Sequence, residues 1–273
     1  MFNDDFLKRA ISGTLFVAVV VAGIFIHPLL LLGVLVAMQV VGTLEFTRMA
    51  GRAGARMNWM MCVAADVLLV GAAYLHSQYG RGGMYPAVIL PVLALVIGEL
   101  FRKKGNPFQN LAFAVFSMVY IGVPMALLLY LPYIHTGLWQ PDYIFLPFLL
   151  VWINDTFAYL AGVGFGKHRM FPRISPKKTW EGTVGGGVMT VAAAMLLSPT
   201  FEQTTVAEMG GMAVVAVVFG TFGDLLESML KRSVAVKDAG TLMPGHGGLL
   251  DRMDSVLLVI PALFFYLKMT KLF

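Results

Sequence analysis

Nine stretches of this chain are each long and apolar enough to cross a bilayer, and no other property restricts its fold so strongly. A spanning helix needs about 20 mostly apolar residues. The candidates run over roughly 10–26, 29–47, 59–75, 84–100, 111–131, 143–163, 182–198, 206–228 and 249–267. Lipid supplies no hydrogen bonds to the backbone, so spans of this kind must be helices or closed barrels. Runs this long read as helices. The expected fold is therefore all-α: a polytopic integral membrane protein with about nine transmembrane helices.

Composition agrees. The chain is 58% hydrophobic and 13% charged, with a mean hydropathy of +0.78. Soluble domains run at roughly 45–50% apolar and about 25% charged, so a soluble enzyme and a disordered chain are both excluded. A lone cysteine, Cys62, forms neither an internal disulfide nor a Cys-based zinc site. The break between the first two spans rests on His27-Pro28 alone. The first span follows Lys8-Arg9 as a signal peptide would. It lacks a small-residue cleavage site and runs on into more membrane, so it reads as a retained span.

Lys and Arg set the orientation. With the N-terminus in the cytoplasm, all but Arg81, Lys268 and Lys271 of the 20 basic residues fall on the cytoplasmic side. One missed helix would scramble that split. The net charge of +5 then reflects loops beside anionic headgroups rather than a nucleic-acid partner. Residues 1–140 read as a scaffold of plain membrane helices. Residues 141–273 read as a catalytic region whose two long cytoplasmic connections gather Asp, Lys, His and Gly.

The first of these stretches is 224–254. Asp224, Glu227, Ser228 and Lys231 share one helical face. Asp224 lies near membrane depth, where an unpaired carboxylate costs about 3 kcal/mol or more. A Pro244-Gly245-His246-Gly247-Gly248 loop follows. Asp251 and Asp254 then sit three residues apart at the start of the last span. Mg²⁺ takes one or two carboxylates plus substrate phosphates, and Asp224, Asp251 and Asp254 meet that demand if the helix ends converge. Lys231, Arg232, Lys237 and Arg252 add cations for phosphate. The plain alternative is a solvated loop whose acids and bases pair with each other.

The second stretch is 154–187. Asn154 and Asp155 lie within an apolar span, either bonded to a neighbouring helix or facing the same pocket as Asp224. Gly162, Gly164, Gly166 and Lys167 imitate a phosphate loop, but Ala161 and His168 occupy places where a Walker motif needs Gly and Ser or Thr. Ser175-Pro176-Lys177-Lys178-Thr179-Trp180-Glu181 reads as a helix start capped by Ser175. Its lysines oppose the helix dipole unless an anion binds there; the alternative is a topology anchor. Gly182, Gly185, Gly186 and Gly187 suit close helix packing. Glu45 and Glu99 are expected to pair with Arg48 and Arg102, three residues on. Asp66 reads equally as a structural pair or as part of a polar cavity.

The motif Ser228-x-x-Lys231-Arg232-x-x-x-x-Lys237-Asp238, followed by Pro244-Gly245-His246-Gly247-Gly248-x-x-Asp251-Arg252-x-Asp254, resembles the signature of the phosphatidate cytidylyltransferases, or CDP-diacylglycerol synthases. Asn154-Asp155, Gly166-Lys167 and Ser175-Pro176-Lys177-Lys178-Thr179-x-Glu181-Gly182 are similar to that family as well. The motifs cover about 100 residues. The resemblance implies transfer of the cytidylyl group from CTP to phosphatidic acid, with Mg²⁺ and room for a second cation. It implies Asp224, Asp251 and Asp254 as metal ligands, with Lys231 and His246 completing the catalytic set. Lys177, Lys178, Lys231 and Arg232 would engage phosphates, Asn154, Asp155 and Lys167 the nucleotide. Ser175, Thr179, Glu181, Ser228 and Lys237 complete the expected substrate-binding set. A cytoplasmic active site in a bacterial inner membrane, and a homodimer, are compatible with this reading. The rival classes are a CTP-dependent kinase of a polyprenol-type lipid and a cation-coupled transporter.

Overall fold

Hydropathy and helix breakers together account for the architecture. The computed structural model describes residues 4–80, 84–241 and 247–270. Its helices are α1 (Asp4–Ile26), α2 (Pro28–Arg52), α3 (Trp59–Tyr79), α4 (Met84–Phe101), α5 (Pro107–Ser117), α6 (Val123–Leu128), α7 (Asp142–Phe165), α8 (Trp180–Leu197), α9 (Val206–Ser233) and α10 (Leu250–Thr270). Among the described residues seven helical stretches are long and apolar enough to span a membrane, counting Pro107–Tyr133 as one. Two shorter apolar helices, Ser12–Ile26 and Val88–Phe101, complete the set. These nine coincide with the nine expected segments, and the chain is an all-α integral membrane protein.

The first boundary stands where the dipeptide placed it. His27 is extended (φ −163°, ψ 139°), its ring accepts the Leu29 N–H, and Pro28 opens α2. Between α5 and α6 the helix widens into a π-turn, Met118–Gly122, with Val123 N–H bonded to Met118 O. Pro124 has no N–H for the carbonyl of Tyr120, which explains a change of register just there.

The chain forms two compact units. The first comprises Met1–Tyr130 with Ser233–Met253. Its core includes Leu35, Leu69, Val70, Ala73 and Met125, each at most 1% exposed. Phe46 packs on Phe113 and Phe116. Several buried polar groups here are paired, as an apolar interior favours, although Asp66 Oδ1 and Ser117 Oγ receive no hydrogen bond from the described residues. Glu99 takes Arg102 at 2.6 Å and the Asn110 amide at 2.6 Å, while Asn110 Oδ1 accepts the Arg56 N–H. Asp66 accepts the Thr43 hydroxyl at 2.6 Å. The pairing expected of Glu99 with Arg102 is present. Glu45 differs: its carboxylate accepts the N–H groups of Leu249 and Leu250. Two buried donors at a helix start are a better match for that acid than a solvated arginine on its own helix.

The second unit comprises Leu131–Arg232 with Asp254–Phe273. Small residues set its helix crossings. A Cβ at Gly182 would stand 2.8 Å from Ala158 O, and one at Gly186 would stand 2.7–2.9 Å from Ala158 Cβ, N and Cα, so α8 lies directly on α7. At Gly223 a Cβ would come within 2.9 Å of Ser255 Cα, which sets the close crossing of α9 and α10.

One element departs from the all-helical plan. Arg169–Phe171 (β1) pairs antiparallel with Ser175–Thr179 (β2). The connecting turn has Pro172 at its second position and is closed by Ile174 N–H on Phe171 O. The helix start expected at Ser175 is therefore corrected: Ser175 lies in a strand, and Thr179 caps α8 by accepting the Gly182 N–H. A residue before proline is biased towards extended backbone, and pairing with β1 fixes that preference.

Candidate active site

The hairpin, α7, α8 and α9 enclose a pocket of about 520 Å³ in the second unit. Asn154 and Asp155 line it from α7, Lys177, Lys178 and Arg169 from the hairpin, and Thr221 and Asp224 from α9. Each is placed by a local cause. Gly162 and Gly166, near the end of α7, let the chain press against Thr179, whose hydroxyl would stand 2.8 Å from a Cβ at Gly166. Thr179 ends the strand and starts the helix in one residue. Its neighbour Glu181 turns back over the α7–β1 link and accepts the backbone N–H groups of Lys167 and His168, with His168 Nδ1 at 2.5 Å. The hairpin is thereby held to α8 at both ends.

Within the pocket Lys178 Nζ meets Asp224 Oδ2 at 2.7 Å. The other oxygen of Asp224 accepts the Ser228 hydroxyl at 3.2 Å, one turn along α9. Asp224 lies within electrostatic reach of both Asp155 and Asp254, and Lys178 opposes its effect at Asp155. Glu227, fully buried, adds to the field at Asp254 and holds Lys231 at 2.8 Å. Asp254 Oδ1 accepts the neighbouring Ser255 N–H. Asn154 is buried, and its Oδ1 receives no hydrogen bond. The result is an acidic cluster faced by lysines, with the apolar surfaces of Tyr159 and Val163 beside it.

The expected residues thus separate into groups. Asn154, Asp155, Lys177, Lys178, Thr179 and Asp224 line one pocket, with Ser228 bonded to its edge. Lys167 precedes the hairpin, tied by its backbone N–H to Glu181, and Ser175 opens strand β2 within it. Lys231 and Arg232 lie further along α9, Lys231 engaged by Glu227. Lys237 and Asp251 belong to the first unit. There Asp251 Oδ2 accepts the N–H groups of Ala239 and Gly248 at 2.9 and 2.7 Å. His246 lies outside the described residues. Sequence reasoning passed over Arg169, Thr183 and Thr221, which also line the pocket. The turn signal at Pro172 would have pointed to the hairpin, and so to Arg169. Among the described residues no three His, Cys, Asp or Glu side chains are disposed to hold a metal ion by themselves.

A family model described as the cytidylyltransferase family matches residues 7–270. The chain is 34% identical over 251 residues to a phosphatidate cytidylyltransferase of Staphylococcus aureus, covering 89% of this chain and 94% of that protein. It is 30% identical over 278 residues to one of Bacillus subtilis, covering 97% and 98%. A Staphylococcus saprophyticus relative of the same description is 31% identical over 252 residues.

Proposed function

The chain belongs to the cytidylyltransferase family, and from that premise we propose how its residues carry out the transfer. The enzyme is a nucleotidyltransferase that joins CTP to phosphatidic acid, giving CDP-diacylglycerol and pyrophosphate for phospholipid synthesis. An oxygen of the lipid phosphate attacks the α-phosphorus of CTP in line. The bond from that phosphorus to the bridging oxygen breaks, and pyrophosphate leaves. The nucleophile is already ionised at neutral pH, so no attacking side chain is needed. The obstacle is bringing two polyanions together, which positioned charge overcomes.

The observation that carries this reading is the Lys178–Asp224 pair in a pocket also lined by Lys177, Arg169 and Asp155. Lysines and an arginine suit phosphate oxygens. Carboxylates crowded against one another suit a hard cation, since a cation relieves their mutual repulsion. The donor set fits Mg²⁺ held by one or two carboxylates, with the remaining positions left to substrate and water. Asp224 and Asp254 are the proposed ligands. Asp251 stays in the set on its spacing, one helical turn before Asp254. When bound, the ion supplies charge stabilisation for the phosphates; a second cation is compatible with the same excess of acid. Lys177, Lys178 and Arg169 bind and orient phosphates, and Asn154 offers a buried carbonyl oxygen to the nucleotide. In this scheme residues 141–273 carry the chemistry and 1–140 the scaffold. The basic loops support a reading in which the pocket faces the cytoplasm at a bacterial inner membrane, where soluble CTP would meet a membrane-held lipid.

Purified protein with CTP labelled at the α-phosphorus, phosphatidic acid and Mg²⁺ tests the assignment. Label is expected in the lipid, with equimolar pyrophosphate. Lipid phosphorylation from γ-labelled CTP, with no α-label transferred, would instead establish a CTP-dependent kinase.

A further inference from the structure

The signature segment is clasped by an acid 204 residues away in the chain. Glu45, on α2, is 2% exposed. Its Oε1 accepts the Leu249 N–H and its Oε2 the Leu250 N–H, each at 3.0 Å. These donors open α10, whose first N–H groups have no partner within the helix and whose dipole favours an anion there. Two glycines make the approach. At Gly240 the three atoms nearest a Cβ would all belong to the Glu45 side chain; at Gly248 a Cβ would stand 2.6 and 2.7 Å from its two oxygens. Neither glycine has a positive φ, so close approach, not backbone conformation, is what excludes a side chain. From the other side Asp251 ties Ala239 to Gly248. Residues 239–240 and 248–250 are thus held by two carboxylates, one supplied by a remote helix.

We propose that Glu45 is a positioning residue for the transfer reaction: it fixes the start of α10 and the chain beside it, and through them the placement of Asp251. This rests on the reading of Asp251 as part of the active site. Geometry matters at this level because displacements near 1 Å, caused far from the chemistry, cost about 100-fold in rate. Glu45 touches neither substrate in this scheme. Its carboxylate is consumed by backbone donors.

The test uses the full chain in detergent or nanodiscs, with Glu45→Gln, Glu45→Ala, Gly240→Ala and the Glu45→Ala/Gly240→Ala double variant. Amide exchange in the peptide 247–253 and steady-state kinetics are both followed. Glu45→Gln keeps one acceptor and puts an NH₂ against the other donor. It is expected to speed exchange at 249–250 and lower kcat by about 10- to 100-fold, with KM for CTP within about twofold. Gly240→Ala should reproduce this, because its Cβ displaces the carboxylate. The double variant should be no worse than either single change. Normal kcat despite faster exchange would reduce Glu45 to a helix cap and overturn the proposal, as would unchanged exchange or fully additive losses. The exchange measurement needs no turnover, so it reports on the clasp even if the wild-type protein transfers no cytidylyl group. If Glu45→Ala does not fold, Glu45→Gln and Gly240→Ala decide the matter alone.

Discussion

Lys178 Nζ lies 2.7 Å from Asp224 Oδ2, joining the hairpin to α9 across the pocket. The pair is partly exposed, and the carboxyl groups of Asp155 and Asp254 lie within its electrostatic reach. Removing the lysine leaves those carboxylates less compensated. Lys178→Ala is expected to raise KM for CTP by about tenfold and to lower the half-saturating Mg²⁺ concentration, since the site becomes more negative. Asp224→Asn should reduce kcat by about 10²–10³ while the protein still inserts. Mg²⁺ titrations of both purified variants check this; weaker Mg²⁺ binding in Lys178→Ala would contradict the arrangement.

Glu181 binds two backbone N–H groups of the α7–β1 link together with His168. Glu181→Ala should therefore loosen the hairpin while the helices stay folded. Proteolysis between 166 and 174 is expected to accelerate, and KM for CTP to rise, with the thermal midpoint little changed. A drop in the midpoint with unchanged kinetics would mean that Glu181 supports the fold and not the site.

Gly186 and Gly164 separate packing from ligand contact. A Cβ at Gly186 meets Ala158 atoms at 2.7–2.9 Å, whereas one at Gly164 meets nothing within 4 Å. Gly186→Val is expected to cost about 1–3 kcal/mol by overpacking α7 and α8. Gly164→Ala should match wild type in stability and turnover. Impaired CTP binding in Gly164→Ala would revive the glycine run 162–166 as a phosphate cradle.

Thr43 donates to Asp66, both of them buried. Thr43→Val removes that donor while keeping the shape, leaving a buried carboxyl less satisfied. The expected loss is about 1–3 kcal/mol, seen as a lower thermal midpoint in detergent, with KM for CTP unaltered. A kinetic defect without destabilisation would instead assign Asp66 to a functional cavity.

Topology is open to a direct experiment because Cys62 is buried and is the one cysteine of the chain. Cysteines placed at Lys103 and Gly137 should label from opposite sides of inverted vesicles. Lys103 is expected on the cytoplasmic side. Labelling of both from one side would undo the orientation drawn from the basic loops.

Much of this was legible in one dimension. The hydropathy of 29–47 or 206–228 needs no partner to be read, and His27-Pro28 marked a real helix break. The motif residues Asn154, Asp155, Lys177, Lys178 and Asp224 were picked out by type and spacing, and the fold gathers them in one pocket. Local rules failed where a remote or neighbouring element competed. Ser175 had every mark of a cap, yet 175–179 pairs with 169–171 and hands the cap to Thr179. Glu45 had an arginine three residues on, yet it serves two N–H groups at the far end of the chain.

By itself the sequence determined that this chain lives in a membrane, roughly where its membrane helices run, and which residue types are candidates for the chemistry. Those properties follow from the transfer of each segment into lipid and from the charge and shape of single side chains. Tertiary structure alone decided which oxygen answers which donor: Glu45 at the start of α10, Lys178 on Asp224, Glu181 over the α7–β1 link. Hydrogen bonds and ion pairs act over a few ångströms, and spacing along the chain does not specify those distances until glycines such as Gly186, Gly223 and Gly240 let the backbones close.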